Sequence, residues 1–161
     1  MSFQALLIAN RGEIAIRIAR AAADLGIKSV AVFSEDDEAS LHTRVADEAV
    51  VLPGIGARAY LDIEAVVAAA KAAGCDAVHP GYGFLSEQGE FARRCGEEGI
   101  TFIGPSETHL NLFGDKAQAR EAAIAADVPV LTGVDHAVTL AEAQTFFHDN
   151  GGSMIIKAIA G

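Results

Sequence analysis

Residues 5–25 read ALLIANRGEIAIRIARAAADL, and this stretch decides the fold. Residues 5–9 form a short, continuous apolar run, the pattern of a strand buried on both faces. Asn10-Arg11-Gly12 turns the chain. Residues 13–25 then repeat apolar side chains at helical spacing, with Ile14, Ile18, Ala21, Ala22 and Leu25 on one stripe. Gly26 is placed to end that helix. A strand hidden on both faces that feeds an amphipathic helix opens a parallel sheet covered by helices.

The same rhythm continues outward. Strands are expected at 29–33, at the run Glu-Ala-Val-Val-Leu within 46–52, at 76–79 and at 100–103. Helices are expected at 63–73, stopped by Gly74, and from a Ser86 cap to about residue 95. The first hundred or so residues thus read as a doubly wound, Rossmann-like α/β unit. The pattern then changes. A short helix runs from Ser106 to Phe113, and another opens at Gly114-Asp115 and ends near Ala126. Val128-Pro129-Val130 is extended, 140–150 is helical and 154–160 is a strand. That last strand reaches Gly161 with nothing after it to pair or cover it, so the chain is expected to be a fragment of something longer.

Composition narrows the function. With 12 Lys plus Arg against 22 Asp plus Glu, the net charge of the 161 residues is −10. Such a balance argues against a nucleic-acid coat or binding to an anionic membrane, while leaving room for a local cationic pocket. No apolar stretch approaches the ~18 residues of a spanning helix, and the first residues carry no basic leader, so a cytoplasmic protein is expected. Cys75 and Cys95 fit no metal spacing and read as packed thiols. The five histidines show no ligand spacing, so no metal site is expected.

Several places could carry chemistry. Gly54-Ile-Gly56-Ala-Arg-Ala59 fits a dinucleotide-binding pattern with Asp76 about twenty residues on, but no helix abuts the glycines; an NAD-binding regulatory domain and a plain surface loop both stay open. His79-Pro-Gly-Tyr-Gly-Phe-Leu-Ser-Glu87 sits at the carboxyl end of a strand, where open sheets bind ligands. It holds Tyr82 toward a cleft, or it is a rigid turn with Phe84 and Leu85 packed inward. Lys116 lies in a first helical turn, against the helix dipole, an arrangement that an anion would relieve. Lys157 shares a strand face with Ile155 and Ile159 and needs a partner or a route to water. Glu13, Arg17, Arg20 and Asp24 line one helix face as two i,i+4 pairs, either a solvated surface or a polar subunit interface.

Taken in order, IANRGEIA (8–15), HPGYGFLSE (79–87), FIGP (102–105), GDK (114–116) and IIKA (155–158) resemble biotin carboxylase. That family is the ATP-dependent component of acetyl-CoA (fatty acid biosynthesis), propionyl-CoA, pyruvate and related carboxylases. The resemblance spans the chain and favours the functional reading of 79–87. It implies a pre-ATP-grasp domain over residues 1–113 and the beginning of an ATP-grasp domain over 114–161. It further implies ATP contacts for Lys116 and Lys157, a place for Tyr82 beside biotin, and a dimer interface that includes Arg20 and Asp24, with Glu13 and Arg17 on the same stripe. Asp24 stands where the family often has Glu. The parent enzyme would use ATP, Mg2+, bicarbonate and biotin on a carrier domain, and would work with a carboxyltransferase component. The magnesium ligands, the bicarbonate residues and the phosphate-covering glycines would lie beyond this chain. The chain alone is therefore expected to be inactive, with a non-catalytic dimerisation module as the alternative.

Overall fold

A computed structural model describes residues 3–134 and 136–156. Five parallel strands, β1 (Ala5–Ile8), β2 (Lys28–Ser34), β3 (Glu48–Leu52), β4 (Ala77–His79) and β5 (Thr101–Phe102), form one sheet in the order β3-β2-β1-β4-β5. The chain winds outward from β1 to one edge and then returns to build the other, as the sequence rhythm predicts. β1 is central and pairs with β2 (Leu7 opposite Val30) and with β4 (Leu7 opposite Val78).

Alternation along β1 splits the core in two. Ala5, Leu7 and Ala9 join Val30, Val32 and Val78 beneath α3 (Ile63–Ala72) and α4 (Gly89–Glu97). Leu6 and Ile8 face α1 (Gly12–Asp24) on the other side, through Ala15, Ile18, Ala19 and Ala22. Truncating a fully buried strand residue such as Leu7 would cost about 2–5 kcal/mol. Cys75 and Cys95 are buried free thiols, and burial pushes both up to about 11.

Helix ends follow the glycines. After α1 the Ile27 N–H donates to the Ala22 carbonyl and the Gly26 N–H to the Ala23 carbonyl, with Gly26 at φ +68°. Gly74 and Gly99 end α3 and α4 in the same way and release the chain into β4 and β5.

The structure corrects four expectations. The buried face of α1 is shifted, for Ala21 is exposed and Leu25 is 74% exposed, because small residues bring the helix down onto the sheet instead. Ser86 caps nothing; positive φ at Gly81, Gly83 and Phe84 keeps the chain in turns until Gln88. A short helix, α2 (Leu41–Val45), and a 3-10 turn at Gly56–Leu61 appear where none is expected. Residues 153–156 have no strand structure, and 157–160 lie outside the described residues.

The chain divides into two compact units, Met1–Leu110 and Asn111–Gly161. α5 (Glu107–Gly114) crosses that division, and the second unit carries α6 (Lys116–Ala125) and α7 (Leu140–Asp149). Asp115 caps α6 by accepting from the Ala117 and Gln118 N–H groups, and Thr139 and Glu142 form a capping box on α7. Among the described residues of this unit, only Ala143 is buried.

Candidate functional site

Where the strand order reverses, the loops after β1 and β4 leave the sheet side by side, and in open α/β sheets this crevice takes the ligand. Here the two loops are tied together by one side chain. Asn10 is 2% exposed, and its Nδ2 donates to the Pro80 carbonyl at 2.7 Å and to the Tyr82 carbonyl at 2.9 Å. Its Oδ1 accepts from the Arg11 N–H at 2.9 Å, at the start of α1. The junction joins the two sequence stretches singled out above. The sequence marks both loops but not the asparagine, which reads as an ordinary turn residue.

The β4 loop points its aromatic residues in opposite directions. Leu85 is buried, and the Phe84 ring packs on Tyr60 with centroids 5.2 Å apart. Phe84 holds this place at φ +45°, a left-handed conformation that costs a non-glycine residue about 1 kcal/mol. Tyr82 stays 62% exposed, and its hydroxyl donates to Glu13 Oε2 at 3.3 Å. The structure thus brings Tyr82 and Glu13 together, although the sequence assigns them to different surfaces.

Beside this junction, Arg11 holds Asp37 through Nε at 2.7 Å and Nη2 at 3.0 Å. Asp37 also accepts from the Tyr60 hydroxyl at 3.0 Å and from Ser40. The Arg11 guanidinium holds the Asp37 carboxyl well below the usual carboxylate range. At the neighbouring turn the Gly54 N–H donates to Glu35 Oε1 at 3.0 Å, and the Gly56 N–H to Asp36 Oδ1 at 2.8 Å. The amides that a pyrophosphate would need are therefore satisfied by carboxylates, which also repel an anion. Asp76, the acid expected for a ribose, instead accepts from the Gln4 and Ala5 N–H groups at the start of β1. The geometry overturns the dinucleotide reading of Gly54–Ala59.

On the outer face of α1, Glu13, Arg17, Arg20 and Asp24 are all exposed. Arg17 pairs with Glu13 at 3.3 Å, whereas the expected Arg20–Asp24 ion pair is not formed. Such an exposed pair contributes at most about 1 kcal/mol, so this face is open to other partners. In the second unit Lys116 is exposed at the first position of α6, next to the Asp115 cap. Lys157 lies outside the described residues. Among the described residues no group of three or more His, Cys, Asp or Glu could hold a metal ion, and no helix is long and apolar enough to cross a membrane.

Residues 2–110 match the family described as "Biotin carboxylase, N-terminal domain". The chain belongs to the biotin carboxylase family. It is 54% identical over 159 residues to a pyruvate carboxylase of Staphylococcus aureus, which covers 97% of this chain and 14% of that protein. It is 46% identical over 158 residues to biotin carboxylase 1 of Bacillus subtilis, covering 97% of this chain and 35% of the relative. A solved dimer of the biotin carboxylase domain of the Hydrogenobacter thermophilus 2-oxoglutarate carboxylase, in complex with MgADP, ADP and bicarbonate, superposes with a TM-score of 0.90 at 42% identity. That superposition covers 100% of this chain and 36% of the other. The chain spans about a seventh of the pyruvate carboxylase and about a third of the biotin carboxylases. It corresponds to the N-terminal part of a biotin carboxylase domain.

Proposed function

We propose that this chain supplies one wall of the active site of a biotin-dependent carboxylase. The parent reaction would transfer the γ-phosphoryl group of ATP to an oxygen of bicarbonate. The carboxyl group of the resulting carboxyphosphate would then pass to N1 of biotin on its carrier domain, with phosphate leaving and the N1 proton lost, and a carboxyltransferase component would consume the product. In this reading residues 1–113 form the pre-ATP-grasp domain and 114–161 open the ATP-grasp domain. The observation that carries it is the junction at the switch point, where a rigid backbone holds an exposed Tyr82 ring.

Each residue has a definite task. Tyr82 offers a flat apolar face and a hydroxyl to the biotin ureido ring, a pairing suited to a small, planar, polar ring. Lys116 and Lys157 place positive charge at the phosphates, where phosphoryl transfer depends on positioning and neutralisation. Bound magnesium would share in that neutralisation. The exposed charges of α1, including Arg20 and Asp24, suit a polar homodimer interface, with the exposed Leu25 adding apolar area at its edge. The test is made in the full-length enzyme that contains this chain. Tyr82→Ala should raise KM for free biotin, and Lys116→Met should raise KM for MgATP. Unchanged values for both would sink the proposal.

A further inference from the structure

We infer that Asn10 is a positioning residue for the biotin side of the site: its buried carboxamide sets where the Tyr82 ring stands. The inference rests on the reading of Tyr82 as a biotin contact and adds the residue through which that contact is placed.

A carboxamide has two N–H donors, and Asn10 aims both at the β4 loop. The carbonyls it reaches, those of Pro80 and Tyr82, lie on either side of Gly81. One NH2 group bridges them because the backbone folds back on itself, with Gly81 at φ +67°. The approach is so close that a Cβ on Gly81 would lie 2.6 Å from Asn10 Nδ2. A second clamp acts on the same residue, for the Gly81 N–H donates to His79 Nδ1 at 3.0 Å. The backbone under Tyr82 is thus held from β1 and from β4, while its side chain stays exposed. A ligand-binding ring benefits from this arrangement, because the loop is ordered before the ligand arrives.

The chemistry at Asn10 is selective. An ionised Asp has the same shape but no donor, and would set a charge against two carbonyls. Ala would take the donor from both carbonyls and leave the buried Pro80 carbonyl without its Asn10 partner. Neither change touches the lysines of the second unit.

The experiment is a double-mutant cycle in the full-length enzyme, with KM for free biotin, KM for MgATP, kcat and thermal unfolding read for each variant. Asn10→Ala and Asn10→Asp should each raise KM for biotin about tenfold, with KM for MgATP within about twofold of the parent. In a Tyr82→Ala background the Asn10→Ala change should add little, because the ring it positions is gone. Additive effects, or a biotin KM unmoved by Asn10→Ala, would overturn the role of Asn10. If Tyr82→Ala itself leaves the biotin KM unchanged, the reading of Tyr82 fails, and this inference with it. Should the Asn10 variants not fold, Gly81→Ala decides: its methyl group pushes the loop off an intact Asn10, and it should reproduce the biotin-specific rise. A Gly81→Ala enzyme with the parent's biotin KM would count against the inference.

Discussion

At the scale of single residues, two histidines make the fold sensitive to mild acid. His42 is buried, its Nε2–H donates to the Val32 carbonyl at 3.1 Å, and its Nδ1 has no partner. A proton on Nδ1 would therefore be buried as a charge without an acceptor. Burial opposes that charge most strongly and outweighs the Val32 hydrogen bond and Asp37, which favour it, while Arg11 adds to the opposition. His79 Nδ1 already accepts from the Gly81 N–H, so protonation there would break the second clamp under Tyr82. Burial pulls both imidazoles below their ordinary value of 6.5. Near neutral pH neither state carries the proton. As the pH falls below about 6.5 the unfolded chain binds protons that the folded chain refuses, so stability drops until the folded groups also titrate. Asp37 acts in a different window, since its carboxyl stays charged well below the usual range and its contribution survives to stronger acid. Urea midpoints measured from pH 8 to pH 5 should fall, and the slope should shrink in His42→Asn. A flat profile over that range would show that the two rings do not control it.

At the scale of elements, stability is unequal. β1 and β4 are buried and paired on both sides, whereas α6 and α7 carry one buried residue between them. Hydrogen exchange should therefore be slowest at Leu7, Ile8 and Val78 and faster by orders of magnitude along α6 and α7. Equal protection of α6 and β1 would contradict this. The same contrast explains what the residues reveal beforehand. The buried run of β1 and the helices closed by Gly26 and Gly74 are local patterns, and they stand where expected. α2 is too short to show a period, and it is held by the bond from His42 to the Val32 carbonyl. The 3-10 turn is likewise held from outside, by Tyr60 reaching Ser34 and Asp37. α6 stops at Ala125, close to the expected end near Ala126, and Asp127 at φ +55° takes the place a glycine usually fills. In the candidate site, the loop that carries Tyr82 is marked by its motif and the charged face of α1 by its i,i+4 spacing. Asn10 is not, since its partners lie 70 and 72 positions away and only the strand order makes them neighbours.

At the scale of the molecule, charge sets the behaviour. If the α1 face mediates pairing, Arg20→Glu should shift a dimer toward monomer in sedimentation, and added salt should weaken the parent dimer; an unchanged profile would remove that face from consideration. The net charge of −10 also opposes a polyanion such as ATP, so binding must come from local cations. In the proposed reading, Lys116 and Lys157 are the two that residues 1–161 would bring to the phosphates. Among the described residues no cluster could hold the magnesium that would share the load. Two charge-assisted contacts reach about 4 kcal/mol together, which corresponds to roughly millimolar affinity. The family resemblance implies that the bicarbonate residues lie beyond this segment, and in that reading the segment alone would lack the groups that position an acceptor for the γ-phosphoryl group. The 161-residue chain should therefore bind MgATP no more tightly than about millimolar by calorimetric titration, and should show no bicarbonate-dependent ATP hydrolysis. Micromolar binding, or turnover of free biotin by this chain, would mean that its own residues complete a nucleotide site.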